Sequence, residues 1–172
     1  MKADPRQKQL AELPIADIKT DGIAKIREYY RPETLEELKQ SITKEGVLQP
    51  IIVSQEENGV YELVIGSRRI NSSLRAGGKN IPAIIIKGLD DKDKLLMALS
   101  ENLHREDLTP FEEAKVMLKL IHEYGMSIKE LSASIGRAER SVGNRIRLLK
   151  LPLEVQDMIS QQLLGVNTVS II

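Results

Sequence analysis

Gly66, Ser67, Arg68 and Arg69 follow the apolar alternating run VYELVI and precede a short helix-like stretch from Ile70 to Ala76. Glycine lets a turn approach a ligand closely, and two guanidiniums offer planar forks suited to phosphate. The first amides of a following helix would point the same way. The chemistry is anion binding. A second set lies in the stretch ALSENLHREDLTP, where Glu101 and Asn102 stand near a helix end with Arg105 three residues on. Their hard oxygens are of the kind a Mg²⁺ shared with phosphates accepts, and Arg105 adds another fork. A plainer reading stands beside each: surface ion pairs worth at most about 1 kcal/mol for the arginines, and a capping pair for Glu-Asn.

A third set is built for a different ligand. In SIKELSASIGRAERSVGNRIRLLKLP, small Ser132 falls where two helices would approach, Gly136 follows four residues later at a tight turn, and Val142 comes six further on to pack inward. That spacing suits a helix-turn-helix over residues 127–149, whose second helix reads a major groove. Its outward residues would be Arg137, Ala138, Arg140, Ser141, Asn144, Arg145 and Arg147, amides and guanidiniums able to reach base edges or phosphates. From Arg137 to Lys150 the chain carries five cations and one anion, a local net +4 within a protein whose overall charge is +0. A basic patch of this kind is a phosphate footprint, although a solvated helix face has the same composition.

These sets need elements to hold them. The 172 residues can bury a core, and 41% hydrophobic with 29% charged residues reads as a globular protein. No run of about 18 apolar residues and no leader-like N-terminus is present, so neither membrane spanning nor secretion is suggested. With Cys 0, disulfides and thiolate metal sites are excluded. A cytoplasmic setting is the expectation.

The pattern divides at about residue 89. Residues 1–12 form a polar arm expected to be flexible, and 13–89 mix strand-like and helix-like pieces. LPIADIKT reads as a strand. RPETLEELKQSITKEG reads as a helix with Pro32 in its first turn and Gly46 at its stop; QPIIVSQ and VYELVIG form a hairpin about Asn58-Gly59; IPAIIIK is a buried strand. From Asp90 onward only helices are expected. One runs to Asn102, and another opens with a Thr109–Glu112 capping box and carries Ala114, Met117, Leu118 and Ile121 on one face. Then come the pair at Ile128–Ile135 and 137–149, and a helix after Pro152. The fold class is therefore α+β: a small mixed α/β domain, then an all-helical domain with a helix-turn-helix.

From Leu13 to the end the chain resembles the N-terminal and central domains of the ParB family of plasmid and chromosome partition proteins, whose first domain is similar to sulfiredoxin. The resemblance is carried by LEELKQSITKEGVLQPIIV, YELVIGSRRINSSLRAGGKNIPAII, ENLHREDLTPFEEA and GRAERSVGNRIRLLKLPLEVQ, in that order. It implies binding of a palindromic, centromere-like double-stranded DNA site, a ParA-type ATPase partner, and a nucleoid-associated location. It also implies CTP and Mg²⁺ as ligands, slow CTP hydrolysis in many members, and self-association of the N-terminal domain as a sliding clamp.

Residue by residue, the family's first nucleotide motif falls on Arg27, the second on Gly66, Ser67, Arg68 and Arg69, and the third on Glu101, Asn102 and Arg105. Asn102 and Glu101 would hold the metal and Arg105 would contact phosphate. Ser67 stands where typical members carry glutamate, which places hydrolysis in doubt, and His104 replaces a common glutamine. The family continues beyond VNTVSII with further helices and a small dimerisation domain, so the chain is expected to be truncated. A nucleoid-occlusion or transcription-regulating paralogue stays open, as does an enzyme on the same scaffold. Sulfiredoxin chemistry needs a cysteine and is excluded; a kinase would need a positioned base, and a nuclease more carboxylates.

Overall fold

The computed structural model describes residues 8–22, 25, 32–105, 108–161 and 163–165, with the side chains of 32–34, 104, 105 and 160 set aside. It divides into two compact units, Met1–Ala98 and Leu99–Ile172.

In the first unit, β1 (Lys8–Pro14) pairs antiparallel with β5 (Asn80–Lys87), and β5 runs parallel to β3 (Ile51–Gln55). The β3 strand pairs antiparallel with β4 (Tyr61–Ile65), which carries the short parallel β2 (Ile18–Lys19) at its far side. The order is therefore β1-β5-β3-β4-β2. Pro14 and Ile18 are joined only by a 3-10 turn at Ile15–Asp17, yet they belong to opposite edges of the sheet. Four residues reach at most about 14 Å, whereas four strand spacings in a flat sheet take about 19 Å. The sheet must curl. A register shift between Ile52 and Val53 adds to that bend. Leu13, Ile15, Ile18, Ile51, Val53, Leu63, Ile70, Ile81, Ala83 and Ile85 are buried together as the core of this unit.

The flexible arm expected for residues 1–12 does not hold for its last five: Lys8 to Glu12 are strand. Only Leu13 in β1 is buried and Leu10 is 71% exposed, so the strand has little apolar pattern to be seen. It is specified by the backbone ladder that apolar β5 offers it. Likewise LPIADIKT is not one strand but the end of β1, a corner and β2. Residues 1–7 lie outside the described residues.

The helix α1 (Pro32–Glu45) stops at Gly46, whose amide donates to the Ile42 carbonyl at 2.9 Å. In the hairpin loop the Val60 amide donates to Asn58 Oδ1 at 3.0 Å, and Gly59 takes φ 82°. The helix α2 (Ser67–Arg75) is tied to α1 by the buried Ser72 hydroxyl, which donates to the Leu35 carbonyl at 3.2 Å.

The helix α3 (Asp91–Arg105) contains the boundary between the units rather than starting after it, and its first turn is capped by Asp90, whose Oδ1 accepts from the Asp93 amide at 2.7 Å. The second unit holds α4 (Pro110–His122), α5 (Ile128–Ile135), α6 (Glu139–Arg147) and α7 (Leu153–Ser160). The Thr109–Glu112 capping box forms as its spacing predicts. Ser127 and Glu130 make a second one on α5. The buried face of α4 is rotated from the expected one: Glu113, Ala114, Val116, Met117 and Leu120 are buried, while Leu118 and Ile121 are partly exposed.

Candidate nucleotide and nucleic-acid sites

Gly66 is the residue before α2 and has φ 113°, a left-handed conformation that side-chain-bearing residues rarely adopt. A Cβ there would also lie 2.6 Å from Ile51 Cγ2, and Ile51 is fully buried. The glycine is thus needed for the strand-to-helix turn itself. The helix begins at Ser67, three residues earlier than the sequence suggests, so Arg68 and Arg69 occupy its first turn rather than a loop ahead of it. Arg69 Nη1 donates to the Pro50 carbonyl and, at 3.3 Å, to the Gln49 carbonyl. Part of this guanidinium therefore braces the segment leading into β3. Arg68 is half-buried, with its Nε enclosed.

Of the third motif, Glu101 and Asn102 lie on the last turns of α3 and are half-buried. The backbone of Arg105 closes that helix, but its side chain is outside the described residues, and so is all of Arg27. Gly66 to Arg69 belong to the first unit, and Glu101, Asn102 and Arg105 to the second.

The helix pair α5–α6 has the local geometry its spacing implies. Ser132 is 5% exposed, Gly136 turns at φ 67°, and Val142 is fully buried. The amides of Gly136 and Arg137 both donate to the Ser132 carbonyl, which closes the end of α5. On α6 the exposed side chains are Glu139, Arg140, Ser141 and Arg147, with Asn144 half-buried. Arg147 Nη1 donates to Asn144 Oδ1 at 3.0 Å, so the Asn144 amide nitrogen is presented as a donor.

Arg137 and Arg145 differ from the outward placement their sequence suggests. Both turn toward Glu113 of α4, a residue the sequence reading passes over. Arg145 Nε lies 2.9 Å and Arg137 Nη1 3.8 Å from Glu113 Oε2, and the carboxylate side chain is 7% exposed. Among the described residues Oε2 has no aligned hydrogen bond, so the contact is ionic attraction rather than a directed bond. Burial raises the Glu113 carboxyl above the ordinary carboxylate value, and Arg145 and then Arg137 pull it partly back. A signal was present in the sequence: Glu113, Met117 and Leu120 are spaced four and three apart, which puts a carboxylate on an apolar helical stripe.

Against known proteins, the ParB N-terminal domain model matches residues 1–103 and the ParB helix-turn-helix domain model residues 106–168. The chain belongs to the ParB family. Among ParB-related proteins it is 40% identical over 152 residues to the chromosome-partitioning protein Spo0J of Thermus thermophilus, covering 88% of this chain and 55% of that one. With a nucleoid occlusion protein of Geobacillus thermodenitrificans it shares 36% over 156 residues, 91% of this chain and 55% of the other. The chain thus spans about half the length of the curated relatives it matches.

Two solved structures are of C-terminally truncated ParB from Caulobacter crescentus. The one complexed to the centromeric parS site aligns with TM-score 0.71 at 32% identity, covering 93% of this chain and 82% of that one. The one complexed with CTP-γ-S aligns with TM-score 0.51 at 33% identity, covering 95% and 93%. The mixed α/β unit followed by helices is the ParB architecture that the sequence resemblance implies.

Proposed function

We propose that this ParB-family chain is a sequence-specific DNA-binding protein of chromosome or plasmid partitioning, working in the cytoplasm on the nucleoid, with a cytidine triphosphate as its nucleotide ligand. One observation carries the DNA reading: Ser132, Gly136 and Val142 build the tight α5–α6 corner that leaves Arg140, Ser141, Asn144 and Arg147 presented on the second helix. The relative solved on parS supports the choice of a centromere-like duplex as target. Nucleoid occlusion is a second reading of the same DNA-binding role, favoured by the relatives that carry that name.

The nucleotide reading is supported by the chemistry of the donor set and by the relative solved with CTP-γ-S. Arg68 and Arg69 stand in the first turn of a nine-residue helix, where the macrodipole also favours an anion. Among the described residues no group of three His, Cys, Asp or Glu side chains gathers to hold a metal unaided. A Mg²⁺ would therefore be shared between Glu101, Asn102 and phosphate oxygens, which is how this ion is commonly bound. The ion would neutralise phosphate charge. Arg27 and Arg105 join this proposed set, and Ser67 takes a place where no carboxylate is offered. Self-association of the N-terminal unit and a ParA-type ATPase partner belong to the same proposal. No helix among the described residues is long and apolar enough to cross a membrane.

The test is calorimetry with CTP and ATP in magnesium, beside binding of parS and scrambled duplexes. CTP-selective heat that is lost in Arg68→Ala, with the melting temperature retained, is expected. Equal heats from both nucleotides, or no preference for parS, would reject the corresponding half of the reading.

A further inference from the structure

Glu113 has no place in the DNA reading as it stands, yet it is the buried carboxylate that meets both ends of the reading helix. Arg137 lies in the corner before α6 and Arg145 two turns into it; one oxygen of Glu113 attracts both. Ala114, Met117, Leu131 and Val142 are fully buried, and α4, α5 and α6 pack on one another. Ridge-into-groove packing leaves the crossing angle of two helices a scatter of about 15–20°, so packing alone does not set the seat of a helix. Two charged contacts on one fixed point, one from the corner before α6 and one from its last turn, restrain that seat.

A second consequence concerns charge. Arg145 and Arg137 are 20% and 30% exposed and are drawn toward the inner side of α6, while Arg140 and Arg147 are exposed. A cation held by a buried carboxylate is withdrawn from the set that can neutralise phosphates, and the strength of non-specific binding follows the number of phosphates neutralised.

We propose that Glu113 is a positioning residue for DNA recognition: it clamps Arg137 and Arg145 to set the seat of α6, and it keeps these two cations off the DNA backbone so that base contacts weigh more in the total. This inference rests on the DNA-binding reading above. A buried ion pair is often a poor source of stability compared with neutral packing, which agrees with a role in specificity rather than in folding. Arg137 and Arg145 are both partly exposed and can turn to water in Glu113→Gln, so a folded protein whose DNA behaviour has changed is expected.

The experiment measures affinity for a parS duplex and a scrambled duplex of equal length and composition as a function of salt, for the wild type, Glu113→Gln, Arg145→Gln and the double variant. In Glu113→Gln the log–log salt slope should steepen by about 0.9 for each released arginine that reaches a phosphate, that is by roughly one to two. The preference for parS should fall by roughly fivefold or more, the size of one weakened base contact. In the double variant the slope should retreat by about 0.9. Arg145→Gln alone should weaken the parS preference with the wild-type slope unchanged.

A folded Glu113→Gln with wild-type slope and wild-type parS preference overturns the clamp and leaves the DNA reading standing. A shallower slope in Arg145→Gln overturns it as well, since Arg145 would then touch phosphate directly; this arm decides the matter if Glu113→Gln does not fold. A wild-type protein that binds parS no better than the scrambled duplex removes the DNA reading, and this inference with it.

Discussion

Replacing Lys94 by methionine should cost the first unit a large part of its stability. Lys94 is a buried lysine on the first turns of α3, 3% exposed. Its Nζ donates to Glu62 Oε2 and Glu56 Oε1, both at 2.7 Å, with Asp91 Oδ1 at 3.4 Å. Burial alone would lower the pKa of this ammonium, but the hydrogen bonds and charges of Glu56 and Glu62 outweigh it and hold the group above its ordinary value of 10.5. The three acidic partners are not equal. The Glu62 side chain is 11% exposed, whereas those of Glu56 and Asp91 are 38% and 56% exposed.

With Lys94 gone, Glu56 and Asp91 turn to water at a cost of at most about 1 kcal/mol each. Glu62 loses its 2.7 Å ion pair in a buried place, and breaking such a pair costs about 3–5 kcal/mol. The loss is therefore expected in that range, against a total stability of roughly 5–15 kcal/mol for a domain. Urea denaturation followed by circular dichroism measures it. Lys94→Met with Glu62→Gln should recover at least about 2 kcal/mol of the single-variant loss, because both charges of the buried pair are then removed together. The sign of the pH effect is fixed as well: with the folded pKa raised, the contribution of Lys94 is whole below about pH 10.5 and is lost as pH climbs beyond it. A Lys94→Met loss below about 1 kcal/mol, or a double variant no better than the single, would refute this reasoning.

Gly66→Ala should destabilise by about 2–5 kcal/mol in the same assay, since it combines a strained left-handed backbone with a methyl forced against Ile51; a change under about 1 kcal/mol would contradict the turn geometry. For Glu113 the pH dependence runs opposite to that of an ordinary salt-bridged carboxylate. Its folded pKa is raised, so its contribution is whole below the ordinary 4.5 and is lost as pH rises through the folded value. The stability of the wild type relative to Glu113→Gln should therefore decline from pH 4 upward, and a relative rise would show that the arginines outweigh burial.

Much of the scaffold was legible because it is written in local chemistry. Thr109 followed by Pro110 and Glu112 makes a helix start whatever surrounds it, because the capping hydroxyl and carboxylate satisfy amides of the same turn. Asn58-Gly59 makes a hairpin for the same reason. The helix pair was legible through Ser132, Gly136 and Val142, whose roles are set by close approach, turn and burial within a single 11-residue stretch. Strand β1 was not, since Lys8 to Glu12 carry no alternation and owe their conformation to β5, some seventy residues away.

The site residues divide along the same line. Residue types announced an arginine-rich helix start and a basic reading helix, because guanidinium chemistry and helical period are properties of the chain itself. Where each cation is engaged was decided by tertiary contacts: Arg69 in part on the carbonyls of Gln49 and Pro50, Arg137 and Arg145 on Glu113, Lys94 on Glu62 and Glu56. The amino-acid sequence determined which groups carry charge and which elements carry those groups. Only the folded chain decided which charges face water, because attraction between residues 19 to 38 positions apart depends on distances and burial that exist after packing and not before it.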